Sequence, residues 1–296
     1  MLAVYFVAVV TITDFLNVRL GVELMTLVVV LAAVMISRAG AVFVHDWWFF
    51  LLGLVMWNLS GPIAASSPLH PHLELLLQLD RGMFFGRDPV VIVQHALATP
   101  GHIGPLDLLT SAAYNLHVPE PYIAGYFLWR LDRSLYLQFT SAILILLVAG
   151  FVTFVVFPAV PPWMASTWYG RLPHVFNGFG PVLRAHPLPF HGSPMFKVFD
   201  LHGDAVAAFP SEHAAFPLLE CLFAWRLSRR VSLLLLLWVG WVFFSVVYLG
   251  EHWITDVIAG WIYALAVFWI VRWIASRPAN AKGGTRRKSV TIPQYN

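Results

Sequence analysis

Two short stretches of this chain hold side chains whose types and spacing suit phosphate chemistry. The first is Ala208-Phe209-Pro210-Ser211-Glu212-His213-Ala214. Pro-Ser ahead of an apolar run is a helix start, with the Ser211 hydroxyl able to cap free backbone N–H groups. Those N–H groups and the helix dipole favour an anion such as phosphate. His213 then falls in the first helical turn. The second stretch is Tyr248-Leu249-Gly250-Glu251-His252-Trp253-Ile254-Thr255-Asp256. Gly250 permits a turn, a helix follows, and His252 and Asp256 are four apart, on one helix face. A carboxylate beside an imidazole fixes its tautomer and stabilises its charged form. The far ring nitrogen can then act as nucleophile or base. A lone histidine in a helix is more often a satisfied core residue than a catalyst. Two histidines that each begin a helix, with one helical hairpin between them, are brought to the same end of a bundle. Ionisable groups at the rim of membrane helices are costly and are functional candidates by default.

The elements that must position these residues are membrane helices. Apolar residues make up 59% of the 296-residue chain and charged residues 11%, and the mean hydropathy is +0.74. Soluble proteins average about 45–50% apolar and about 25% charged, so the composition excludes an ordinary soluble enzyme and makes the bilayer the solvent. Spans need about 20 apolar residues. Eight segments approach this, roughly 2–18, 21–37, 46–65, 111–130, 134–157, 211–227, 231–249 and 252–274. Asp14 and Asn17 weaken the first, and Pro119 and Pro121 kink or delay the fourth. The expected fold is all-α: a polytopic membrane bundle of about eight transmembrane helices, six to eight in range. The N-terminus lacks a basic n-region and reads as a first membrane helix rather than a cleaved signal. The single cysteine, Cys221, lies in an apolar run and supports no disulfide framework.

Basic loops stay in the cytoplasm. Those at Arg130 and Arg133, at Arg226, Arg229 and Arg230, and the tail with Lys282, Arg286, Arg287 and Lys288 fall on one side of an eight-helix arrangement. Both termini are therefore expected in the cytoplasm. The stretches 66–110 and 158–210 and the turn near Gly250 are expected outside. Trp163, Trp168, Tyr169, Phe176, Phe179, Phe190, Phe196 and Phe199 make the second stretch an ordered extracytoplasmic cap or, equally, an aromatic interfacial belt. Residues 1–276 are expected to form one transmembrane domain, and 277–296 a disordered basic tail.

The paired motifs resemble the type 2 phosphatidic acid phosphatase superfamily. Pro210-Ser211-Glu212-His213 is similar to its Pro-Ser-x-His signature, and Ser245, His252 and Asp256 stand at the spacings of its third. Val246 occupies that signature's Arg position, and the Lys- and Arg-containing first signature is not found. These departures resemble the inositol phosphorylceramide synthase branch, which also lacks that Arg. Further resemblances to the branch are Phe157-Pro158-Ala159-Val160-Pro161-Pro162-Trp163, Leu79-Asp80 with Phe85-Gly86, and Asp107 to His117. The likeness covers about 80–274, the expected catalytic core.

The resemblance implies that His252 attacks phosphorus to form a phosphohistidine, oriented by Asp256. It implies that His213 protonates the leaving oxygen and then deprotonates the acceptor. Ser211 and nearby N–H groups would hold phosphoryl oxygens. No metal or other cofactor is expected. Basic candidates to replace the missing Arg are Arg184, Lys197, Arg171 and Arg81. Tyr248, beside the third motif, is a candidate substrate-binding residue, and Tyr114, His117 and Asp107 are candidates to line a polar head-group pocket. Asp107 and His117 could equally cap or pack.

The expected activity is transfer of a phosphorylated head group, inositol phosphate by resemblance, from a donor phospholipid to a lipid or polyol hydroxyl at the extracytoplasmic face. Hydrolysis of the same intermediate is the alternative. No inverted repeat or glycine-broken helix pair favours a transporter. Membrane lipids are the expected partners, with no nucleic acid.

Overall fold

A computed structural model describes residues 43–50, 52–53, 67–99, 101–117, 119–185 and 206–277. The expected spans at 2–18 and 21–37, most of 46–65, Lys197 and the basic tail beyond residue 277 lie outside the described residues.

Among the described residues the secondary structure is helical, with two isolated bridges, His72 to Ala159 and Ala159 to Ala207. Residues 43–50 and 52–53 are helical, and the helices after them are α1 (Glu74–Met83), α2 (Pro89–Leu97), α3 (Pro105–Leu116), α4 (Glu120–Leu131), α5 (Arg133–Val156), α6 (Pro162–Thr167), α7 (Phe179–Ala185), α8 (Glu212–Ala224), α9 (Arg229–Tyr248) and α10 (Ile254–Ser276). The expected span at 111–130 is two helices, α3 and α4. Pro119 and Pro121 interrupt the i to i−4 ladder there, and Pro121 serves in the first turn of α4, where its missing N–H does no harm.

α5, α9 and α10 are long and apolar enough to cross a membrane. At 1.5 Å rise per residue, the 24 residues of α5 reach about 36 Å, more than the bilayer's apolar thickness of about 30 Å. The chain is an integral membrane protein. Local chemistry sets where these helices begin. The Asp132 carboxylate accepts from Leu135 N at 2.9 Å at the start of α5. The Ser228 hydroxyl accepts from Val231 N at 3.4 Å at the start of α9. Their outer faces carry exposed Leu234, Leu237, Ile262, Trp269 and Trp273, suited to lipid rather than water.

α8 packs between α9 and α10 and also touches α5. Tyr136, Phe139, Ile143, Leu219, Phe223 and Phe268 fill the core at one end of this group. At the other end, Leu76, Val160, Met164, Ala214, Val246 and Trp253 form a second apolar cluster, which supports the ends of the helices carrying both histidines.

Candidate functional site

His213 and His252 meet where the N-terminus of α8 approaches the turn between α9 and α10. Their rings lie 3.2 Å apart, His252 Nε2 to His213 Nδ1. Both residues are buried. His252 Nδ1 lies 2.9 Å from the Ala208 carbonyl. A carbonyl only accepts, so the neutral His252 ring carries its proton on Nδ1 and presents a lone pair on Nε2. His213 Nδ1 is then the donor in the contact between the rings. In the turn between the two membrane spans, burial pushes His252 down to about 4, against the opposing pull of the Ala208 hydrogen bond. Its ring is therefore neutral at physiological pH.

The backbone holds this geometry from several directions. Gly250 adopts φ +76° in the turn, a conformation glycine takes without cost. The Val246 carbonyl accepts from Glu251 N at 3.0 Å and from His252 N at 3.2 Å. The Val246 side chain, at the position where the superfamily signature has Arg, is buried in the second apolar cluster. The Ala208 carbonyl is aimed by the bridged segments: Ala208 N donates to Ala159 O at 3.2 Å, and Val160 N to His72 O at 3.1 Å. Trp253 is sealed in by its indole N–H, 2.7 Å from Val160 O.

Asp256 is fully buried. Its Oδ2 accepts from Trp253 N at 2.9 Å and lies 3.6 Å from His252 Nδ1. The direct partner of that ring nitrogen is thus the Ala208 carbonyl, with the Asp256 carboxyl the next nearest acceptor. The Asp256 carbonyl accepts from Ser211 N at 3.0 Å, tying α10 to the start of α8. Ser211 caps α8 through its hydroxyl, 3.3 Å from Ala214 N.

A second polar group adjoins the histidine pair. The Tyr114 ring stacks on His213 at 4.1 Å between centroids, and His117 lies 3.7 Å from the same ring. His117 Nδ1 lies 2.6 Å from Tyr114 O. The Tyr248 hydroxyl donates to Asp107 Oδ1 at 2.8 Å, and Asp107 Oδ2 accepts from Gly104 N at 2.8 Å, capping α3. The same carboxylate therefore caps a helix, one of the roles the sequence left open, and also accepts from Tyr248.

The basic candidates divide differently. Arg81 makes a two-pronged ion pair with Asp88, at 2.6 and 2.9 Å, and Arg171 pairs with Glu74, so both are engaged elsewhere. Arg184 lies in α7, and Lys197 is outside the described residues.

Two residues that sequence reasoning left out of the site support it. The Gln94 amide donates to Tyr248 O at 2.8 Å and Phe176 O at 3.0 Å, and accepts from Phe176 N at 3.1 Å. Asp80 accepts from Ile254 N, Thr255 N and the Thr255 hydroxyl. Burial raises the Asp80 carboxyl, and the bonds from Thr255 and Ile254 oppose that. No periodicity flags either residue. The only signal was the position of Asp80 in a stretch resembling the synthase branch.

With fold and geometry established, comparison places the chain in a family. The family model described as PAP2 superfamily matches residues 74–270, and the chain belongs to that superfamily. It is 26% identical over 195 residues to a phosphoinositol dihydroceramide synthase of Bacteroides thetaiotaomicron, covering 62% of each chain. It is 27% identical over 192 residues to an inositol phosphorylceramide synthase of Candida albicans, covering 64% of this chain and 40% of that one. A third relative, the inositol phosphorylceramide synthase catalytic subunit of Saccharomyces cerevisiae, is 28% identical over 127 residues, 38% of this chain and 28% of that one. The chain thus spans less than two thirds of the length of the curated relatives it matches. No solved structure matches it.

Proposed function

We propose that this protein is a membrane phosphotransferase that moves a phosphorylated head group, inositol phosphate by analogy with its relatives, from a donor phospholipid to a lipid or polyol hydroxyl. The observation that carries this reading is the buried contact between His252 Nε2 and His213 Nδ1 at 3.2 Å, with Nδ1 of His252 held by a carbonyl.

His252 Nε2 attacks phosphorus, and the bond from phosphorus to the diacylglycerol oxygen breaks. His213 protonates that oxygen as it leaves. The head group stays on His252 as a phosphohistidine that keeps one ester bond, to the head group. The acceptor hydroxyl then gives its proton to His213 and attacks phosphorus, and the P–N bond breaks with its electron pair returning to Nε2. General acid–base help of this kind is worth about 10²–10⁴-fold. A gap of 3.2 Å holds no phosphoryl group between the rings, so donor binding separates them. Asp256 stabilises the charged imidazole, and Ser211 with the first turn of α8 receives phosphoryl oxygens. Asp107, Tyr248, Tyr114 and His117 line the head-group side. The scheme routes no step through a metal.

Transfer is favoured over hydrolysis because both histidines are almost fully buried, and excluding water protects an intermediate that water would otherwise hydrolyse. We place the site at the extracytoplasmic face of a bundle of about eight spans, capped by the segment following α5.

The test is turnover in liposomes with labelled phosphoinositide, phosphatidate and prenyl-phosphate donors, with and without lipid acceptors, in wild type and His252→Ala. Label in a new lipid, absent from the mutant, is the expected outcome. Free head-group phosphate with no new lipid would establish the hydrolase. Equal rates in wild type and mutant would remove His252 from catalysis.

A further inference from the structure

We infer that Asp80 is a positioning residue for the reaction: its carboxylate grips the first turn of α10 and thereby sets His252 against His213. This rests on the reading of His252 as nucleophile.

Asp80 sits on the inner face of α1, 174 residues before its first partner in α10, and is fully buried. Oδ2 accepts from Ile254 N at 3.0 Å. Oδ1 accepts from Thr255 N at 2.9 Å and from the Thr255 hydroxyl at 2.6 Å. A helix N-terminus has backbone donors without intrahelical partners and carries the positive end of the dipole, so a buried carboxylate is the acceptor best suited to it. The neighbouring Arg81 is committed to Asp88, which leaves the Asp80 charge facing α10.

The grip passes on to both histidines by short routes. His252 precedes the gripped turn by two residues. One residue beyond that turn, Asp256 accepts from Trp253 N through its side chain and from Ser211 N through its carbonyl. Ser211 caps the helix that carries His213. Both rings are thus referenced to a turn that a third element, α1, holds in place. Reacting groups must be held closely, and a displacement of about 1 Å can cost about 10²-fold in rate.

A merely structural Asp80 would lose folded protein and activity together. A positioning Asp80 loses kcat while the fold and KM persist. The experiment compares Asp80→Asn, Thr255→Val and Thr255→Ser in the full-length protein in liposomes. Glu74→Gln, an exposed change on the same helix, is the control. kcat and KM are measured with the donor that wild type uses, beside the thermal midpoint and gel-filtration profile of each variant.

The expected result is a kcat loss of about 10- to 100-fold in Asp80→Asn with KM within about threefold. Thr255→Val should lose about 3- to 10-fold, and Thr255→Ser and Glu74→Gln should stay within about twofold. If Asp80→Asn does not fold, the pair at Thr255 decides. The inference is overturned if Thr255→Val matches wild type, or if its kcat loss only tracks loss of folded protein. Absence of His252-dependent turnover in wild type refutes the underlying mechanism instead. His252-dependent turnover, whether transfer or hydrolysis, with an indifferent Thr255→Val refutes only the role of Asp80.

Discussion

A histidine that attacks phosphorus must be neutral when substrate arrives, and its surroundings decide how far into acid it stays so. Burial lowers His252 from the ordinary 6.5 to about 4. The acid limb of kcat/KM set by His252 is therefore expected near pH 4, where an exposed histidine would give one near 6.5. A profile measured across pH 3.5 to 8 checks this, and a limb near 6.5 would show a ring far more hydrated than the one described. The same shift fixes a sign for stability. Between its folded and unfolded values the unfolded chain binds the extra proton, so stability falls as pH falls. The contribution is complete above about 6.5 and lost on the way down to about 4. At this scale the sequence was legible where partners are close along the chain, as in His252 and Asp256. It was silent on the Ala208 carbonyl, since a backbone oxygen has no residue signature, and on Asp80, whose partners lie 174 and 175 residues away.

At the scale of elements, the helices α5, α8, α9 and α10 were readable to within a few residues because each is an apolar run bounded by a capping Ser or Asp or by charge, although α8, at 13 residues, is shorter than the membrane span expected there. The break between α3 and α4 was only half-readable: the prolines signalled an interruption, not two helices. What no pattern could show is how closely α8 and α10 approach. A Cβ on Gly260 would collide with the carbonyl oxygen of Ser211, the residue that starts α8. In an open helix interior, replacing Gly by Ala stabilises by about 1 kcal/mol. Here overpacking should outweigh that gain, since forcing extra atoms into a packed contact costs about 1–3 kcal/mol. Gly260→Ala is expected to lower the thermal midpoint and to depress kcat as Ser211 and His213 are pushed from His252. A raised midpoint with wild-type turnover would mean that the two helices stand farther apart than described.

For the whole molecule the open matter is which way the bundle faces. Helices α8, α9 and α10 run as two consecutive hairpins, so the α8–α9 turn lies at one end and the α9–α10 turn, with His252, at the other. The first turn carries Arg226, Arg229 and Arg230, and the α4–α5 turn has Arg130 and Arg133. Basic residues in short loops are retained in the cytoplasm, so the histidine end is expected to face outward. The protein's own thiol suits a labelling test, because Cys221 is buried and 3.2 Å from the Ser232 hydroxyl, giving a low background. Thr167→Cys, at the exposed end of α6, is expected to react with a membrane-impermeant maleimide in intact cells. Ser228→Cys, in the α8–α9 turn, should react only after permeabilisation. The reverse pattern would put the site on the cytoplasmic face and require its lipid donor and acceptor in the inner leaflet. Labelling of both in intact cells would show a leaky preparation, which a cytosolic marker protein run alongside detects. The expected pattern would restrict the donor to lipid presented in the outer leaflet, and so restrict which lipids the liposome panel must include.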